Sequence, residues 1–188
     1  MERVDFLKLF YPVALEDYHL LEKLLKPKTF KKGEHLLVPG QTQKELFIIK
    51  TGVQMLYYQT DDKPHIITFT YPPNFCAIPG TFTFQKPSKY YLTTLTDSEI
   101  DCLFYPDLQE LFDKSPAIER LFRRMMEAVF EGFLDRFIEM RSKTIEERFK
   151  AFCRRSPHLL QIVPHKHIAS YLGIDPTNFS KLFNTVQF

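Results

Sequence analysis

The spacing of apolar residues changes twice along this chain, and the changes divide it into three stretches. Near the start, "ALEDYHLLEKLL" sets leucines at helical intervals and predicts a helix that ends ahead of Pro27, because a residue preceding proline is pushed out of helical geometry. Between Thr29 and Tyr105 the helical period disappears. Runs rich in β-branched and aromatic residues follow one another, "HLLV", "ELFIIK", "VQMLYYQ", "HIITFTY", "YYLTTL" and "EIDCLFY", separated by turn formers such as "KKGE", "PGQT", "KTG", "DDKP", "YPPN" and "TDS". Roughly six to eight short strands, evenly spaced and without intervening helices, predict an antiparallel barrel or double-sheet jelly roll.

The helical period returns at "YPDLQELFDKSPAIERLFRRMMEAVFEGFLDRFIEMR". Ser115-Pro116 predicts a helix start, with Ser as N-cap and Pro at the first position, and Glu119 suits the first turn. Apolar pairs then recur every four residues: Leu121/Phe122, Met125/Met126, Val129/Phe130, Phe133/Leu134 and Phe137/Ile138. Each repeat advances the stripe by about 40°, so one helix serves two different neighbours along its length. At about 24 residues and roughly 36 Å it outruns a small barrel. The expected cover is the same helix of a second subunit, with Phe122, Met125, Met126, Val129, Phe130 and Phe133 at the interface.

Thr144 and Glu147 form a capping-box pattern that opens another helix through "RFKAFCRR". Further on, "HIASYLGIDPTNFSKLF" reads as two short helices around a tight turn: Gly173 closes the first, Ile174 plugs the turn, Asp175 caps the second and Pro176 begins it. With Phe179, Leu182 and Phe183 facing inward, Thr177, Asn178, Ser180, Lys181 and Asn184 face outward. Such a pair matches a helix-turn-helix, whose second helix enters the DNA major groove. Asn suits adenine, Ser and Thr serve bases or phosphates, and Lys reaches guanine or phosphate. The alternative is a helical hairpin that only packs, in a dimeric ligand-binding or protein-interaction module that does not touch DNA.

Charge adds weight to the DNA reading. The formal total of +2 conceals a basic final quarter: from Arg136 onward the net is +5, leaving −3 for the first 135 residues. Composition is that of a globular protein; the first residues lack an export h-region and no apolar run is long enough to span a membrane, so a cytoplasmic location is expected. The three cysteines, Cys76, Cys102 and Cys153, are far apart and outside any C-x-x-C spacing, which argues against disulfides, zinc or an iron–sulfur cluster. A metal-dependent cupin would need several strand histidines, and the strand region offers only His35 and His65. Phosphate-binding and hydrolase motifs are absent too, so no enzyme is expected.

Together these features resemble the Crp/Fnr transcription regulators. "FKKGEHLLVPGQTQKELFIIKTGVQMLYY", with Gly33, Gly40 and Gly52 at its turns, is similar to the opening strands of a cyclic-nucleotide-binding barrel. The helix from Pro116 resembles the dimerisation helix of that family, and "HIASYLGIDPTNFSKLF" its helix-turn-helix. The resemblance implies an α+β protein: an antiparallel jelly-roll sensory barrel over 1–114, a long dimerisation helix over 115–142 and a small helix-turn-helix domain over 143–188. Its implied partners are double-stranded DNA and a second copy of the chain, with RNA polymerase a further candidate and no membrane. Lys166 joins the outward residues as a DNA contact, and Arg148, Lys150, Arg154 and Arg155 are candidate supporting cations, with His158, His165 and His167 nearby.

The sequence departs from the family where the nucleotide phosphate would sit. Ala77-Ile78 or Pro79-Gly80 stands in place of Gly-Glu, Ser88-Lys89 lies near the expected Arg-Ser, and no arginine occurs between Arg3 and Arg120. A buried phosphate calls for charge-assisted donors in a fixed fork, so no cofactor is expected and cyclic nucleotides are disfavoured. Phe69, Tyr71, Phe75, Phe82, Ser88, Lys89, Tyr90 and Tyr91 are instead expected to line a pocket for some other small, apolar ligand, or to be plain core.

Overall fold

The computed structural model describes residues 3–61 and 63–185. Short helices α1 (Arg3–Lys8) and α2 (Leu15–Leu24) lead into eight strands: β1 (Lys26–Phe30), β2 (His35–Leu37), β3 (Glu45–Thr51), β4 (Gln54–Gln59), β5 (Pro64–Thr70), β6 (Phe75–Cys76), β7 (Tyr91–Thr94) and β8 (Ser98–Phe104). A one-turn helix α3 (Pro79–Phe82) lies between β6 and β7, and α4 (Tyr105–Lys114) follows β8. Two antiparallel sheets form, in the orders β1-β8-β3-β6 and β2-β7-β4-β5. This is the expected jelly roll. Three elements escaped the sequence reading: β1, whose "KPKTF" is almost wholly exposed and shows no apolar alternation, and β6 and α3, which are too short to carry a period.

After the barrel come α5 (Pro116–Ser142), α6 (Ile145–Arg155), α7 (Leu159–Ile162), α8 (His165–Leu172) and α9 (Pro176–Thr185). The caps are as the sequence implied. Ser115 accepts from the Ile118 amide at 3.3 Å, and Thr144 and Glu147 complete the reciprocal capping box. α5 is longer than expected, at 27 residues.

Three apolar clusters alternate with the two sheets. Leu37, Phe47, Ile49, Leu56, Leu92 and Ile100 fill the space between them. The outer face of the first sheet, with Leu46 and Leu103, is covered by α1, α2, α4 and the start of α5 through Leu7, Leu21, Leu111, Ile118 and Leu121. On the outer face of the second sheet, Val53, Met55, Ile66 and Phe69 share a cluster with Phe149, Phe152, Leu159, Ile168, Leu172 and Phe179 of the C-terminal helices. The terminal helices are therefore docked on the barrel. At this seam the Ser170 hydroxyl of α8 accepts from the Ile66 amide and donates to the Pro64 carbonyl, both at 3.1 Å, on the free edge of β5. The Tyr71 and Ser156 hydroxyls meet at 2.7 Å.

Gly52 turns β3 into β4 at φ +89, a left-handed conformation, and an added Cβ would stand 2.7 Å from the Asp97 carbonyl while striking the Ser98 hydroxyl. Gly52→Ala should therefore cost roughly 2–4 kcal/mol, read as a lower urea midpoint with unchanged slope.

Candidate nucleic-acid interface

The turn between α8 and α9 has the geometry its residues imply. Gly173 adopts φ 59 and ψ 40 and donates back to Ala169 and Ser170, and the Ile174 amide reaches the Ala169 carbonyl at 2.9 Å. Ile174 is buried beneath the turn. The Asp175 carboxylate accepts from the amides of Thr177 at 2.8 Å and Asn178 at 3.4 Å, capping α9. Phe179 is fully buried, its ring edge-on to Phe149 with centroids 5.3 Å apart. Thr177, Asn178, Ser180, Lys181 and Asn184 are all exposed on the opposite side. The Ser180 hydroxyl donates to the Pro176 carbonyl at 3.0 Å, which leaves its lone pairs to accept from a ligand. Lys166 is exposed in the first turn of α8, and neither α8 nor α9 carries an acid in its first turn.

The supporting cations divide. Arg154 is exposed and Lys150 is paired with Glu146 at 2.6 Å. Arg148 is buried and donates to the Met140 carbonyl at 3.3 Å, so the expectation of a surface contact from it is corrected: its guanidinium ties the end of α5 to α6. His165 packs against Phe183 at 4.2 Å, and burial, with Lys166 beside it, lowers the His167 pKa from the ordinary histidine value.

On α5 the expected dimer face also divides. Met125 is only 3% exposed and serves the subunit's own core, so its assignment to the interface is corrected, while Phe122 is half-buried and packs on Phe112 at 5.4 Å. Met126 is half-buried. From Val129 onward the face is free: Phe130 is 65% exposed, Phe133 59% and Phe137 57%, with Leu134 and Ile138 beside them. The third face of α5 meets the terminal helices. Arg136 lies 4.0 Å over the Tyr171 ring and donates to the Tyr171 carbonyl, and its other nitrogen is 3.6 Å from Glu139. Glu139 also meets Lys143 at 3.1 Å and Arg155 at 3.6 Å. Burial works to raise the Glu139 pKa, but Lys143, Arg155 and Arg136 outweigh it and hold the carboxyl below the ordinary glutamate value. This knot was missed in the sequence, although Arg136, Glu139 and Lys143 at intervals of three and four on an otherwise apolar helix are a legible charge pattern.

The expected ligand pocket does not assemble. Phe69 sits in the seam, 5.3 Å from the Tyr171 ring. Tyr71 lines a cleft of about 320 Å³ with Gly52, Val53, Pro72, Thr96, His158 and Ile162, which none of the other seven residues borders. Phe75 and Phe82 belong to the cluster under the N-terminal helices. Tyr91 stacks on Tyr57 at 5.0 Å, Tyr90 turns the other way to Tyr58, and Lys89 is exposed. Neighbours on a strand face opposite sides, which is why these residues cannot share one wall.

A cyclic nucleotide does not fit the residues present. The Ile78 amide is taken by the buried Gln43 side chain at 3.0 Å, and the Ser88 hydroxyl is closed onto the Tyr90 backbone at 2.9 and 3.0 Å. The space between the sheets holds aliphatic side chains and two thiols, Cys76 and Cys102, that burial pushes up to about 12. No strand of the two sheets carries a guanidinium toward that space, since no arginine occurs between Arg3 and Arg120.

The Glu139 knot should make the junction acid-sensitive. Its depressed folded pKa contributes stability above the unfolded value, and that contribution is lost as pH falls through the folded value. The stability difference between wild type and Glu139→Gln, from urea unfolding, should therefore be largest near about pH 7 and shrink toward about pH 3.

Comparison with known proteins agrees with this architecture. Residues 27–115 match the model of the cyclic nucleotide-binding domain. Over 96% of the chain and 77% of its own length, the fumarate and nitrate reduction regulatory protein of Yersinia pestis is 24% identical. The transcriptional activator protein Anr of Pseudomonas aeruginosa is 24% identical over 93% of the chain and 76% of its length. In fold, the chain is similar to FixK2 from Bradyrhizobium japonicum, with a TM-score of 0.71 at 14% identity, covering 85% of this chain and 83% of that one. A barrel, a long helix and a helix-turn-helix in this order, matched over most of the chain by named regulators, make the chain similar to the Crp/Fnr transcription regulators.

Proposed function

We propose that the chain acts as a homodimeric, sequence-specific DNA-binding regulator in the cytoplasm, with a sensory barrel over 1–114, a dimerisation helix over 115–142 and a DNA-reading domain over 143–188. The carrying observation is the outward face of α9, where Thr177, Asn178, Ser180, Lys181 and Asn184 stand exposed above a fully buried Phe179. Asn178 is the base reader in this reading; Thr177, Ser180, Lys181, Asn184 and Lys166 hold phosphates. Lys166 near a helix N-terminus is opposed by the helix dipole, and a phosphate bound there relieves the conflict.

Dimerisation follows from the free row of α5. Side chains such as Phe130, Phe133, Leu134, Phe137 and Ile138 contribute roughly 1.5–3 kcal/mol each when fully buried, more than a solvent-facing helix would forgo. A regulator bound beside a promoter acts on RNA polymerase, which is the second macromolecular partner in this reading. The barrel responds to something other than cyclic AMP or cyclic GMP, because its interior offers no fixed cation to a phosphate.

Fluorescence anisotropy with duplex DNA tests the proposal. Affinity should fall steeply, by roughly 10³–10⁵ for 6–10 phosphate contacts, between about 50 and 200 mM salt. Asn178→Ala should cost about 1–3 kcal/mol and blur preference at one base, whereas Lys181→Ala should weaken all sequences. Binding that ignores both changes removes α9 from the interface. Phe133→Glu combined with Phe137→Glu should give monomers in sedimentation; a dimer that persists places the subunit contact elsewhere.

A further inference from the structure

We infer that Arg136 is a positioning residue that sets the half-site spacing this regulator accepts, by clamping the dimerisation helix onto the last turn of α8. The inference rests on the reading of α5 as the dimer contact and α9 as the DNA-reading helix. Its observations are separate from those that carry that reading.

Arg136 flanks the free apolar row of α5, three residues after Phe133 and seven after Val129. Its guanidinium lies 4.0 Å over the Tyr171 ring and donates to the Tyr171 carbonyl. Tyr171 stands two residues before Gly173, where α8 hands over to α9. Its ring is held on other sides by Phe69, at 5.3 Å, and Phe152, at 5.8 Å, and its neighbour Ser170 is fastened to β5. Below, Met140 of α5 lies so close to Gly173 that a Cβ there would be 2.5 Å from its methyl. The last turn of α8 is thus held from the barrel by Ser170 and from α5 by Arg136, just ahead of α9.

A largely buried guanidinium is a costly way to gain stability, since an apolar side chain of similar size would fill the space without a desolvation penalty. What the planar group adds is direction. It stacks on one ring and donates to one carbonyl, with the Glu139 carboxylate, itself near Lys143 and Arg155, 3.6 Å behind it as an ion-pair partner. Two copies of α5 across a two-fold axis would carry two such clamps, so the distance and rotation between the paired α9 helices are fixed by them. Half-sites lie about one helical turn, 10–10.5 bp, apart in helix-turn-helix dimers, and a wrong rotation turns one recognition helix away from its groove.

The test uses the full chain and an operator selected by wild type from randomised duplexes, together with versions whose spacing differs by about 5 bp, half a turn. Wild type should prefer the selected spacing strongly. Arg136→Met, which keeps the aliphatic bulk, should shrink that preference on the order of five- to tenfold, the scale of a desolvated cation–π contact with a charge-assisted hydrogen bond, while affinity for a single half-site stays unchanged. Arg136→Lys, which keeps the charge without the flat stack, should move the same way by less, and Tyr171→Leu breaks the clamp from the other side if Arg136→Met does not fold. An unchanged spacing preference, or an equal loss for all spacings and for the single half-site, overturns the inference and leaves Arg136 a structural contact. Wild type that binds no duplex at any salt overturns the proposed function and this inference with it.

Discussion

A helix turns by about 100° per residue, and an apolar repeat of four therefore cannot stay on one side of it. α5 uses that drift to meet three environments in sequence. Ile118, Leu121 and Met125 close the barrel's outer cluster; Phe130, Phe133 and Phe137 are free; and Arg136, Glu139 and Met140 face the terminal helices. No loop intervenes between the first of these contacts and the last. The barrel, the free apolar row and the helix-turn-helix are consequently held in one frame by a single rigid element of 27 residues.

How much of this could be read in advance depended on how local the cause was. The capping box at Thr144, the N-cap at Ser115 and the Gly173-Ile174-Asp175 turn are each decided by a few adjacent side chains, and each has the expected geometry. Strands β3, β4, β5, β7 and β8 carry β-branched and aromatic runs bounded by turn residues, which is a local signal as well. β1 is held as a strand by pairing with β8, from Lys26 opposite Cys102 to Phe30 opposite Ser98, and nothing in "KPKTF" itself announces that partner. Met125 failed as an interface residue for the same kind of reason. An apolar stripe says that a helix is covered, and only the third dimension says by what.

The aromatic residues of the barrel show the same limit from the other side. Their density suggested one cavity, yet strand pleat and sheet topology send Phe69 to the seam with the C-terminal helices, Phe82 beneath the N-terminal helices and Tyr91 onto Tyr57. Between the sheets, space that would have to admit a phosphate is taken by Leu, Ile and Phe side chains and by thiols held protonated at neutral pH. The barrel has thus kept its frame, with Gly52 at a turn that will not take a side chain, while the chemistry inside it is that of an ordinary core.

The hydroxyl of Ser170 on β5 has one more effect. The sheets end in four borders, and three are blunt: β2 and β6 are only three and two residues long, and β1 carries Lys26, Pro27 and Lys28. The seven-residue β5 is the one long margin onto which a foreign strand could zip, and α8 lies against it with Ser170 occupying the Ile66 amide and the Pro64 carbonyl. The C-terminal helices thereby shield their own barrel from intermolecular strand pairing, and any motion that lifted them away would expose an adhesive seam.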